Sequence, residues 1–214
     1  MTIKENIIAL RNNIPKAVQI LAATKTRTIQ QIKEAIDAGI NIFGENYVQE
    51  AEEKYSSIKQ NYNIELYFIG HLQKNKINRA LNLFDVINID SYEIASEIDK
   101  RANKKIRVLI EVNVSNEPQK HGCKPEELIN LVEKISNLKN IEVIGLMTMT
   151  PYFEDQEKTR PYFKKMKLLF EEIKKLNLKN IKMNILSLGM SNDYKIAIEE
   201  GSNLIRIGSL IFEE

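Results

Sequence analysis

Lys25 stands in the string ILAATKT, directly after five residues suited to the middle of a buried strand. An amine at the end of a core strand is partly desolvated, which lowers its pKa from the free value of about 10.4 and leaves more neutral nucleophile. Schiff-base chemistry with a carbonyl compound follows from such an amine. Near the other end of the chain, SLGMSNDY and RIGS supply Ser191, Asn192, Gly208 and Ser209, residues whose hydroxyls and backbone N–H groups suit a phosphate. Arg206, in the second string, adds a guanidinium that stays charged at any accessible pH. Each has a plainer use when taken singly: a lysine snorkels to solvent, a serine or asparagine caps a helix, a glycine turns the chain, an arginine pairs at the rim.

Those residues need elements to hold them. Apolar runs rich in Ile and Val alternate with stretches of helical period along the whole chain, the pattern of βα units and a parallel sheet. Eight runs predict strands at Ala17–Thr24, Ile40–Gly44, Glu65–Gly70, Asp85–Asp90, Ile106–Val114, Ile141–Met149, Met183–Gly189 and Asn203–Ile211. Between them, TIQQIKEAIDAG places Ile29, Ile32, Ile36 and Ile40 on one face with Gly39 as the stop. KPEELINLVEKI enters through Pro125 and carries Leu128, Leu131, Val132 and Ile135 as its stripe. The expected fold is α/β, a closed (β/α)8 TIM barrel forming a single domain over residues 1–214, with TIKENIIALRNN as an extra N-terminal helix. An open doubly wound sheet is the rival, but GxGxxG is absent and eight units favour closure.

Composition narrows the partners. Basic residues number 31 and acidic ones 29, interspersed to a net charge of +2, so no nucleic-acid footprint is present. No segment approaches the roughly 18 apolar residues of a membrane helix, and the N-terminal residues lack the pattern of a secretory or transit signal. The single cysteine, Cys123, has no CxxC partner and reads as a plain loop or half-buried thiol, which suits a reducing cytoplasm.

In a barrel, chemistry gathers at the C-terminal ends of the strands, and the loops after strands seven and eight often bind phosphate. A Schiff-base lysine on strand one facing a phosphate cup suggests pyridoxal 5′-phosphate (PLP), whose aldehyde and phosphate leave one ring on different sides. A class I aldolase also uses a lysine and a phosphate, and spacing alone leaves both open.

LAATKT, IFGENYVQE, YFIGHLQKNK, GLMTM and LSLGMSNDYKIAIEEGSNLIRIGSLIF occur in that order from about Val18 to Phe212, nearly the whole chain. In order and spacing they resemble the pyridoxal phosphate homeostasis proteins, the YggS/PROSC family of PLP-binding barrels. That family is similar to the barrel half of fold-type III enzymes such as alanine racemase. FGENYVQE together with GHLQKNK is highly specific. The resemblance implies that Lys25 holds PLP as a Schiff base, that Ser191, Gly208 and Ser209 receive its phosphate, and that Arg206 faces the pyridine nitrogen. Asn46 is then expected to line the pocket near the ring, with a helix cap before YVQEAEEKY as its alternative. Met147 and Met149 are expected to pack under the ring, Lys120 to help exchange PLP with other amines, and His71 to be a satisfied barrel-mouth histidine rather than a catalytic one. Family members commonly end with glycine after IF, whereas this chain ends IFEE, which leaves the last strand's end open.

Racemases of this fold need a base on each face of the cofactor, the second typically a tyrosine from an all-β domain. With barrel strands reaching Ile211, no residues are left for that domain, and one cofactor face is expected to be open to water. The expected function is therefore a non-catalytic PLP carrier in intracellular vitamin B6 homeostasis: cytoplasmic, monomeric, with PLP-dependent apoenzymes as recipients and neither nucleic acid nor membrane as partner. A small racemase using Tyr47, Tyr152 or Tyr162 is the alternative, and the aldolase stands third.

Overall fold

A computed structural model describes residues 1–213. Eight parallel strands close into a barrel in sequence order: β1 Gln19–Ala23, β2 Ile42–Glu45, β3 Glu65–Phe68, β4 Val86–Ile89, β5 Ile106–Glu111, β6 Ile141–Met147, β7 Ile181–Ser187 and β8 Leu204–Ile207. Around it lie α1 Ile3–Asn12, α2 Ile29–Asp37, α3 Val48–Asn61, α4 Ile77–Leu83, α5 Tyr92–Arg101, α6 Leu128–Ser136, α7 Arg160–Lys175, α8 Tyr194–Glu199 and α9 Ser209–Phe212. The (β/α)8 barrel and its additional N-terminal helix are thus as the periodicity indicates.

Alternation along each strand sorts side chains into two apolar layers. Leu21, Ile42, Tyr67, Val86, Leu109, Ile144, Met147 and Leu204 fill the barrel interior. Their neighbours, such as Ile20, Ala22, Phe43 and Ile205, pack outward against the helices. Burying each large aliphatic side chain contributes about 1.5–3 kcal/mol, so both layers are needed to offset the chain entropy of closure.

Local sequence sets the helix ends. Thr28 and Gln31 form a reciprocal capping box at the start of α2, and Gly39 takes φ +92° just beyond its end, a conformation that costs glycine little. On the expected stripe, Ile32 in α2 and Ile40 just past the helix are fully buried, while Ile29 lies at the helix start with an exposed side chain. Pro125 opens a 3-10 turn, Pro125–Glu127, that runs into α6.

The last predicted strand divides. β8 ends at Ile207, and Ser209–Phe212 turns into α9, which buries Ile211 and Phe212. An apolar string alone does not distinguish strand from helix, and the break at Gly208 decides it here. β7 begins at Ile181, two residues before its expected start.

Candidate functional site

The C-terminal mouth of the barrel contains a cavity of about 430 Å³. Asn46, Ser191, Arg206, Gly208 and Ser209 all line it, although they come from three separate stretches of chain. Ala23, Ile69 and Met149 supply apolar wall.

Lys25 lies beside this cavity rather than in its wall. Leu21 and Ala23 face the barrel interior, and Lys25 follows in the turn just past the end of β1. Its side chain is exposed, with Nζ 5.5 Å from the centroid of the Tyr47 ring. The partial desolvation expected of it is therefore absent in this conformation.

The backbone around Lys25 is firmly held. Thr24 Oγ1 donates to Glu45 Oε1 at 2.7 Å and lies 2.7 Å from Tyr55 Oη. Thr24 has one hydroxyl proton, so giving it to Glu45 leaves Tyr55 as donor to Thr24. Lys54 Nζ donates to Thr24 O at 2.7 Å, to Glu45 at 3.1 Å and to Glu50 at 2.5 Å, and Glu50 accepts the Thr26 N–H at 2.7 Å. The residues on both sides of Lys25 are thereby tied to α3. Burial pushes the Glu45 carboxyl above its ordinary value against the pull of Thr24 and Lys54, and burial also pushes the Tyr55 hydroxyl up. Glu50, where Lys54 and the Thr26 N–H outweigh burial, is held below the usual range.

Arg206 is buried, and its guanidinium donates to Ser187 O and Oγ, both at 2.8 Å, and to Thr148 O at 2.7 Å. Burial lowers its pKa to about 10, with Asp193 and Glu111 opposing the shift, so the group is charged at neutral pH. A cation held chiefly by neutral carbonyls retains electrostatic reach into the cavity it lines.

The loop after β7 is braced by Asp193. Its Oδ1 accepts the Met190 N–H at 2.7 Å and its Oδ2 accepts from Thr150 Oγ1 at 2.8 Å. Gly189 has φ +86°, and a Cβ there would lie 2.6 Å from Ala197 Cβ, so this tight turn requires glycine. Ser191 Oγ accepts the Leu210 N–H at 3.5 Å, joining the two loops expected to form the phosphate cup. Gly208 differs from Gly189: its φ is −113°, and a Cβ would come no closer than 3.5 Å to Ala23 O. Neither strain nor packing demands glycine at 208, so its bare backbone serves to keep the cavity wall open.

Asn46 does not cap α3, whose N-cap is Tyr47. Met147 packs in the barrel interior and Met149 reaches the cavity, in phase with each other. Tyr152 lines the cavity, Tyr47 stands under Lys25, and Tyr162 stacks on Phe153. His71 is hydrogen-bonded to Asp90, and Lys120 is ion-paired with Glu117 in its own loop at 3.0 Å. Cys123 is buried, which pushes its thiol up to about 12. The sequence reading missed Glu45, Thr150 and Asp193, the residues that fix the loops. A carboxylate at a strand end, as in FGEN, was the available signal for Glu45; nothing local distinguishes the buried Asp193 from an ordinary turn aspartate.

The chain matches the family model of the alanine racemase N-terminal domain over residues 1–214. It is 42% identical over 200 residues to the pyridoxal phosphate homeostasis protein of Aquifex aeolicus, covering 92% of this chain and 86% of that protein. Among solved structures it is similar to PipY of Synechococcus elongatus with PLP bound, at TM-score 0.90 and 30% identity, covering 99% of this chain and 100% of that one. Alanine racemase of Clostridium difficile shares the fold at TM-score 0.83 and 14% identity, and the match spans 56% of that longer chain. A barrel of this topology, matched from end to end at these identities, belongs to the alanine racemase N-terminal domain family and, within it, to the pyridoxal phosphate homeostasis proteins.

Proposed function

We propose that the chain binds PLP at the barrel mouth, with Lys25 as the attaching amine, and acts in intracellular vitamin B6 homeostasis without a robust catalytic activity of its own. The observation that carries this reading is the placement of buried Arg206 and the open Gly208–Ser209 turn on one cavity wall beside Lys25. The names of the relatives support it, as does PipY with PLP bound.

PLP brings an aldehyde for amines, an electron-accepting ring and a phosphate anchor. Ser191 and Ser209 offer hydroxyls to the phosphate, and Gly208 leaves room for it. Asn46, Ile69 and Met149 flank the space for the ring. Arg206, still protonated at neutral pH, favours an unprotonated pyridine nitrogen and so weakens the ring as an electron sink, which suits holding a cofactor rather than transforming substrates. We place the protein in the cytoplasm as a monomer that passes PLP to PLP-dependent apoenzymes; a lone, buried cysteine supports a reducing compartment. No helix among the described residues is long and apolar enough to cross a membrane.

The test is direct. Protein mixed with PLP should turn yellow, and borohydride reduction followed by mass spectrometry should find one pyridoxyl adduct, on Lys25. Lys25→Ala should lose the adduct while its stability stays within about 0.5 kcal/mol, because an exposed mouth side chain adds little to the core. A label on another lysine would overturn the assignment. A small racemase is the second reading, favoured by Tyr152 on the cavity wall. Exchange of an amino acid α-proton with solvent at enzymatic rates, abolished in Tyr152→Phe, would establish it.

A further inference from the structure

The chain has two histidines, His71 and His121, and both come together at the mouth on the side away from Arg206's loops. His71 follows β3, Asp90 follows β4 and His121 lies in the loop after β5, so three successive βα loops each contribute one residue. The two imidazoles stack with centroids 4.0 Å apart and planes 11° apart, and His71 Nδ1 lies 2.9 Å from Asp90 Oδ2. One ligand atom from each of the three residues lies within 4.8 Å of the others.

From this juxtaposition we propose a divalent transition-metal site, of the zinc class, formed by His71, Asp90 and His121 and separate from the Lys25 cavity. Two imidazole nitrogens and one carboxylate oxygen suit zinc-like ions, whereas magnesium and calcium favour oxygen donors throughout. Metal–ligand bonds of about 2.0–2.2 Å place tetrahedral donors about 3.4 Å apart, so a pair at the 4.8 Å limit must close by about 1.4 Å. Side-chain rotation of two exposed imidazoles can supply that movement.

A second observation supports a cation here. Asn88 is buried with Oδ1 lacking any partner, and with Glu111 it lines a narrow cleft that His71 and Asp90 also line. Asn88 Nδ2 donates to Glu111 Oε2 at 2.5 Å. Burial, with Asp90 adding like charge, pushes the Glu111 carboxyl up against Asn88, Arg206 and His71. The cluster thus sits beside a buried acceptor, Asn88 Oδ1, that has no partner of its own. On its open side the two imidazoles line a groove of about 520 Å³ that shares Asn46 with the Lys25 cavity and also carries Lys76. Three protein ligands leave a fourth position, which faces that groove and can take water or a small anionic ligand.

The test uses tag-free, full-length protein titrated with zinc chloride by calorimetry, with the metal content after dialysis measured by plasma mass spectrometry. One zinc per chain is expected, and His121→Gln and Asp90→Asn should each weaken binding at least about tenfold. His121 is exposed in a loop, so His121→Gln should fold, as an unchanged circular-dichroism spectrum and an unchanged yellow band with PLP would show. Wild-type protein that retains no zinc, or His121→Gln protein that binds it as tightly as wild type, would overturn the proposal. Neither result bears on Lys25, whose adduct is read separately.

Discussion

Gly208 offers a way to test the proposed phosphate wall without disturbing the fold. A Cβ added there meets protein atoms only at ordinary contact distance, yet it projects from the wall assigned to the phosphate. Gly208→Ala should therefore leave the urea midpoint within error and weaken retention of PLP by roughly tenfold or more, given about 1.4 kcal/mol per factor of ten. Equilibrium dialysis with PLP measures this, and unaltered retention would remove Gly208 from the phosphate site. Lys25 and the Ser191/Ser209 pair stood out in the sequence as chemistry-bearing residue types near strand ends, whereas Arg206, inside β8, was singled out only by the family resemblance. It did not reveal that Lys25 would lie over Tyr47 in solvent, since a side chain's rotamer depends on neighbours from other strands.

At the scale of elements, the turn from β1 to α2 is fixed by a buried polar network that reaches into α3. Glu45 has a folded pKa above its ordinary 4.5, with burial as the chief cause. A carboxyl whose pKa is raised on folding contributes stability below the unfolded value and loses it as pH rises through the folded value. Glu45→Gln stays neutral throughout, so its stability relative to wild type should increase as pH climbs above 4.5. Urea unfolding of both proteins at several values from pH 4 upward checks this, and a constant difference would mean that the Glu45 pKa is unshifted. The eight strands were legible because Ile and Val runs alternate with amphipathic stretches. Their ends were less so: Asn203–Ile211 reads as one apolar string, and Gly208 and the burial of Ile211 and Phe212 divide it into β8 and α9.

The whole molecule is one closed barrel in which each strand is paired on both sides. We propose that residues 1–214 form a single domain, and limited proteolysis should then yield either intact protein or small peptides. Accumulation of a stable half-barrel fragment would argue for two units. Closure also depends on the ends of the chain: α1 packs near α9, with Asn6 Nδ2 donating to Ile211 O at 3.2 Å and Arg27 paired to Glu213 at 2.6 Å. Closure itself was legible in the count of βα units, whereas these end-to-end contacts were not, because they join residues about as far apart in sequence as the chain allows.

The pairing of β1 with β8 places Leu21 opposite Arg206. The first and last strands are thus neighbours, and the amine and the turn proposed to attach and anchor PLP, Lys25 and Gly208–Ser209, lie far apart in sequence. During synthesis on the ribosome, a nascent chain must release its final strand from the exit tunnel before the two halves of the binding site can meet. Loading with PLP should consequently report that β8 has docked on β1, and a chain truncated before Leu204 should hold none.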